Sequence, residues 1–138
     1  MRLEMPGLLD KPAESAVGIW TPGVQKDSVS LRLPVRIHEH PHDAVDEART
    51  HGCRILAASP RGGRPLFETD LEAPCAVLIG GEGPGLPAAV LESADALISI
   101  PMEPPVESLN AAVTAAVILY EARRQRELGK VRGKKLEV

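Results

Sequence analysis

Three short apolar runs stand at intervals through the middle of the chain: Ile55–Ala58 behind Arg54, Ala76–Ile79, and Ala96–Ile100. Each has the length and continuity of a strand buried on both faces, with a Gly- or Pro-containing turn between one run and the next. Between them lie stretches with helical features. Pro41 suits the first turn of a helix from about His42 to Thr50, with Gly52 to end it. A shorter helix is expected from Pro87 to about Ser93. The longest is expected from about Leu109 to Leu128, with Ser108 as N-cap and Gly129 as terminator. In it Leu109, Val113, Ala116, Val117 and Tyr120 recur at three- and four-residue spacing, forming one apolar stripe for a core or an interface. Arg61 to Arg64 reads as a turn. Towards the amino terminus, Val17–Trp20 reads as a short strand and Val29–Ile37 as partly extended, while residues 1–16 show no clear period. Strands alternating with helices predict an α/β domain, its sheet mostly parallel and covered by helices on both faces. The expected organisation is a poorly defined segment 1–16, a domain 17–129 and a basic tail 130–138.

Composition narrows this picture. A chain of 138 residues is one domain's worth, and 43% apolar with 25% charged residues is ordinary for a globular protein. Only Trp20, Phe67 and Tyr120 are aromatic, too few for a module that stacks bases on several exposed rings. No apolar run reaches the roughly 18 residues of a membrane span, and residues 1–10 lack the order of a signal peptide. A cytoplasmic protein is expected, with Cys53 and Cys75 as buried thiols. The net charge is −3, but residues 121–138 carry a balance of +4 against −7 for the rest. A basic tail on an acidic body suits a polyanion, or is simply solvated.

Chemistry points first to Gly80-Gly81-Glu82-Gly83-Pro84-Gly85. This loop follows a strand, where open α/β sheets bind ligands, and its glycines let the main chain approach a nucleotide-like ligand. No Lys-Ser/Thr follows, so it is not a Walker loop. Its G-x-G-x-G spacing also misses the dinucleotide fingerprint. An unrelated nucleotide-binding module is one reading of this loop, and a tight turn without a ligand is another. Asn110 is expected in the first turn of the long helix, where backbone N–H groups favour an anionic or carbonyl partner. His38, His40 and His42 alternate, with His51 nearby. Pro41 breaks the extended geometry that three metal ligands would need, and no metal site is expected.

Taken together, Gly80 to Leu86, then Ile100-Pro101-Met102, then Ser108-Leu109-Asn110 ahead of an apolar helix resemble the SpoU/TrmH family of RNA 2′-O-ribose methyltransferases. That family ends with G-x-E-G-x-G-L, I-P-M and S-L-N at similar intervals. The helix end Tyr120 to Gln125 is similar too, and Lys26 to Ser30 with Leu33-Pro34-Val35 resembles its Ser-x-Gly stretch, with Ser30 where the family has Gly.

The resemblance implies a deep trefoil-knotted α/β domain of the SPOUT type, S-adenosylmethionine as cofactor, rRNA or tRNA as substrate, and a homodimer through the last helix. It places cofactor contacts at Gly80, Gly81, Gly85, Ile100, Met102 and Leu109, mostly through the backbone. It gives Glu82 a proton-handling or orienting role, Asn110 an orienting role, and Ser108 a place in the same pocket. The family's first motif holds an Asn followed by an Arg thought to act on the 2′-hydroxyl. Asn110 is the only Asn in this chain, and the expectation is of a domain shortened at its amino end. Two functions follow: methyl transfer to a ribose 2′-hydroxyl, or a non-catalytic knotted dimer that binds cofactor or RNA without turnover.

Overall fold

The computed structural model describes residues 38–81 and 85–136. The predicted strand at 17–20, the extended segment 29–37 and Glu82 lie outside them. In chain order the elements are α1 (Pro41–Thr50), β1 (Arg54–Ala58), β2 (Arg64–Pro65), a single 3-10 turn (Leu66–Glu68), β3 (Cys75–Leu78), α2 (Ala88–Ser93), β4 (Ala96–Ser99) and α3 (Ala111–Leu136). The strands form one sheet in the order β2-β4-β1-β3. Every pairing is parallel, with Leu56 opposite Val77 on one side and opposite Ala96 on the other. The three expected strands are present, each within a residue or two of its expected ends. Arg64, read as part of a turn, instead opens the edge strand β2.

Alternation along the strands divides the core in two. Leu56, Val77 and Ile98 point to one face, where they meet Leu66, Leu71, Ile79, and Ala115 and Ile118 of α3. Ile55, Ala57, Ala76 and Leu78 point to the other, against Val45 of α1 and Val90 of α2. Helices thus cover both faces, and this is why β1 reads as an unbroken apolar run. Ile55, Leu56, Leu71 and Ile98 are fully buried, and burying each such side chain contributes about 1.5–3 kcal/mol. Cys53 and Cys75 are buried free thiols, and burial pushes the Cys75 thiol up from its ordinary value.

The amino ends of the strands are tied together by Asp95. Its carboxylate accepts from the Ile55 N–H at 2.7 Å, and its own N–H donates to the Ile55 carbonyl at 2.8 Å. Arg49 of α1 donates to the same carboxylate at 3.2 Å and to the Ser93 carbonyl. The Ile55 N–H, the Arg49 guanidinium and the more distant Arg54 charge hold the Asp95 carboxyl below its usual range, against a smaller opposing effect of burial.

Helix α3 corrects two expectations, its start and its end, and narrows a third, leaving the apolar stripe the interface role rather than the core one. It begins at Ala111, and the cap is Asn110, whose Oδ1 accepts from the Ala112 N–H at 2.8 Å. Ser108 lies two residues too early to cap. The helix also runs through Gly129 to Leu136, so the basic residues expected in a tail are helical as far as 136. An interior Gly costs about 1 kcal/mol against Ala. Here the flanking turns are anchored. Arg132 pairs with Glu72, whose nearer carboxylate oxygen lies 2.8 Å from where a Cβ on Gly129 would stand, and Lys130 pairs with Glu127 at 3.1 Å. Finally, the buried face is Ala115 and Ile118 with Ala111 and Ala122 beside them, while Val113, Ala116, Val117 and Tyr120 of the predicted stripe are exposed, Tyr120 by 74%. Ala115 and Ile118 thus form the core side of α3, while Val113, Val117 and Tyr120 point outward.

Candidate functional site

One cavity of about 520 Å³ opens at the carboxyl ends of β1, β3 and β4, against the start of α3. Its walls come from segments distant in sequence. After β3 come Gly80, Gly81 and Gly85; after β4, Ile100 and Met102; and the approach to α3 brings Ser108, Leu109 and Asn110. The eight sequence-selected positions that fall in the described residues therefore line a single space. The ninth, Glu82, lies outside those residues.

Each wall has a local cause. Gly80 lies close against Gly85 and Leu86, so that a Cβ on Gly80 would stand 2.6 Å from the Leu86 nitrogen and 2.7 Å from the Gly85 carbonyl carbon. Only glycine permits that approach. Gly85 has φ +72, in the left-handed region. At α3 the first turn is fixed twice by Asn110, through its side chain on Ala112 and through its carbonyl, which accepts from the Thr114 N–H at 2.9 Å. The capping bond sets the orientation of the Asn110 carboxamide at the cavity wall.

The sequence reading missed Ser59 and Ser99, which follow or end β1 and β4, and Thr114, one turn into α3; all three line the same cavity. Their signal was their position at the carboxyl ends of neighbouring parallel strands and on the opening turn of a helix. The lining residues among those described carry hydroxyls, one carboxamide and aliphatic groups, and none is charged.

The histidines lie elsewhere. His38 sits 3.0 Å from the Glu47 carboxylate, His40 precedes α1, and His42 is inside it. Among the described residues no group of three His, Cys, Asp or Glu side chains is arranged to hold a metal ion. None of the described helices is long and apolar enough to cross a membrane.

Residues 14–120 match the model of the SpoU rRNA Methylase family. An uncharacterized tRNA/rRNA methyltransferase of Synechocystis is 36% identical over 140 residues, covering 90% of this chain and 51% of that protein. The chain thus spans about half the length of that relative, and 31% of a similar one from Mycolicibacterium smegmatis. Among solved structures, an RNA 2′-O ribose methyltransferase superposes with a TM-score of 0.57 at 38% identity, over 62% of this chain and 33% of that one. The SpoU methyltransferase AviRb from Streptomyces viridochromogenes, in complex with AdoMet, gives 0.54 at 39%, with the same two coverages.

Proposed function

This chain belongs to the SpoU rRNA methylase family, and we propose that its cavity holds S-adenosylmethionine for methyl transfer to a ribose 2′-hydroxyl of rRNA or tRNA. The observation that carries the proposal is the meeting of three separate sequence motifs around one cavity at the carboxyl ends of parallel strands. The residues present fit the cofactor. A volume of about 520 Å³ is that of a small-molecule site. Leu86, Ile100 and Leu109, partly exposed at the cavity wall, offer apolar faces to a purine, and the hydroxyls of Ser99 and Thr114 offer hydrogen bonds to a ribose and an amino-acid end.

When bound, S-adenosylmethionine supplies a sulfonium methyl group, which the 2′-oxygen takes as S-adenosylhomocysteine leaves. The protein's own task is mainly positioning. The glycine segment 80–81 brings main chain against the ligand. Asn110, its carboxamide oriented by the cap, directs the incoming hydroxyl, and Ser108 completes that wall. Glu82, next after these glycines, orients the hydroxyl or accepts its proton. The same reading includes the knotted threading of the family and a homodimer through α3, whose exposed Val113, Val117, Leu119 and Tyr120 suit a second copy. It sets the protein in a reducing cytosol, in keeping with its two free thiols.

Calorimetric titration of the full chain with S-adenosylmethionine and S-adenosylhomocysteine tests the proposal, followed by methyl transfer to bulk transfer RNA and ribosomal RNA. Saturable binding of both ligands is expected. No binding at millimolar ligand would overturn it. The uncharged lining among the described residues favours a second reading, binding without turnover. Cofactor binding with no transfer to either RNA would select that one.

A further inference from the structure

Beside the cofactor cavity lies a second, shallower hollow of about 380 Å³. The two share Pro60, Ser99, Ile100 and Met102 as wall residues. Its remaining wall includes Arg61 and Gly62 from the β1–β2 turn, and Glu107 from the loop that leads to α3. The turn reads Arg61-Gly62-Gly63-Arg64, and its shape is fixed. Ser59 donates its hydroxyl to the Arg61 carbonyl at 2.7 Å, and the Ser59 N–H is bonded to the Ile98 carbonyl at 2.9 Å. Gly62 and Gly63 both have positive φ, and a Cβ on Gly63 would stand 2.7 Å from the Leu97 carbonyl oxygen. Gly63 is therefore pressed against β4, and the two arginines leave the turn on either side of a fixed glycine pair.

Among the described residues those arginines are poorly occupied. There the Arg61 guanidinium meets only Glu107, at 3.5 Å, with the two side chains 82% and 79% exposed. A pair so long and so wet contributes little. Arg64 is exposed, and its side chain makes no ion pair among the described residues. A guanidinium is the side chain best matched to a phosphate, which it can grip through two parallel N–H bonds.

We infer that the Arg61–Arg64 turn is a phosphate clamp for the RNA strand that carries the target ribose. The inference rests on the proposed RNA substrate. A nucleotide presenting its 2′-hydroxyl at the mouth of the cofactor cavity would lay its neighbouring backbone across the shared wall of Ile100 and Met102. Arg61 would then exchange Glu107 for a phosphate, and Glu107 would act as a placeholder that the substrate displaces.

The test is fluorescence anisotropy of labelled bulk transfer RNA with the full chain, over a series of salt concentrations, beside calorimetry with S-adenosylmethionine. Arg61→Ala and Arg64→Ala are each expected to weaken RNA binding about tenfold near 0.1 M salt, and to lower the salt slope by about one. Cofactor affinity and melting temperature should stay unchanged. Glu107→Gln, which releases Arg61, should tighten RNA binding, the opposite sign to the arginine variants. Unchanged RNA affinity and salt slope in both arginine variants would overturn the clamp while leaving the RNA reading intact. Weaker binding in Glu107→Gln would overturn it too, since the pair would then be a scaffold. If the unaltered chain binds no RNA even at low salt, the RNA reading itself fails and takes the clamp with it.

Discussion

At the amino ends of β1, β3 and β4 the chain is laced shut. Asp95 bonds Ile55 from both its backbone and its side chain, the Arg54 N–H donates to the Pro74 carbonyl at 3.1 Å, and Arg54 Nη2 reaches the Asp70 carbonyl at 2.6 Å. At the carboxyl ends of the same three strands the chain parts around a hollow, lined by hydroxyls, glycines and one carboxamide. The two ends lie only a strand's length apart. One end spends its polar groups on one another and fixes the register, whereas the other leaves its wall shaped for something that is not protein. The difference separates residues whose loss should lower stability from those whose loss should lower binding.

The largest expected effect lies in the core between the two ends. Ile55→Ala should cost about 2–5 kcal/mol of stability by urea unfolding. At the laced end, Asp95→Ala should cost about 1–3 kcal/mol, since the Ile55 N–H loses a charged acceptor, with S-adenosylmethionine affinity unchanged by calorimetry. At the open end, Gly81→Val should lower that affinity at least about tenfold, roughly 1.4 kcal/mol, with little change in melting temperature. Equal loss of stability in both variants would erase the distinction.

Asn110 belongs to both sides, and a pair of variants sharpens its place. Asn110→Ala removes the cap and should cost about 1 kcal/mol of stability together with cofactor affinity or turnover. Asn110→Asp keeps an acceptor for the Ala112 N–H, so stability should recover while turnover does not. Identical turnover in Asn110→Asp and the unaltered chain would leave the residue a cap only.

The smallest effect concerns acid. Hydrogen bonds from Arg124 and then Gln125 hold the Glu121 carboxyl down, from its ordinary 4.5 to about 2. A depressed carboxyl adds stability that is present above its unfolded value and lost as pH falls through its folded one. Melting temperature should therefore fall as pH drops from about 4.5 towards 2, and Glu121→Gln should flatten part of that fall. Gln125 ties this site to the fold. Its amide nitrogen donates to Glu121 and to the Thr69 carbonyl, both at 2.9 Å, and its oxygen accepts from the Leu71 N–H at 2.8 Å.

Much of this is legible in the sequence. Strands buried on both faces leave continuous apolar runs, and β1, β3 and β4 could be found from them. The glycines at 80, 81 and 85, Ile100 with Met102, and Ser108 to Asn110 were found through motif and spacing, and they share one cavity. The burial of α3 was not legible. The stripe of Val113, Val117 and Tyr120 suits a core or an interface, and the sheet takes Ala115 and Ile118 instead. Periodicity reports that a helix has an apolar face and leaves open which neighbour covers it. Ser59 and Ser99 are harder to find for another reason: a single serine carries no motif, and its one signal is its place at the carboxyl end of a strand.

The strand order has a consequence for how the chain comes to be folded during synthesis. Among the described strands β2 lies at the edge and pairs only with β4, through Arg64 opposite Ile98 and Pro65 opposite Ser99. β4 is the last strand made, and it must enter between β1 and β2, both already present. As the chain leaves the ribosome, β1 and β3 can pair early, but β2 has no neighbour among the described strands until residues 96–99 emerge. Non-local pairing of this kind slows folding and leaves strand edges open while it waits. The Arg-Gly-Gly-Arg turn, held by its contact with Leu97 and Ile98, is thus among the parts that must wait for β4 to take shape.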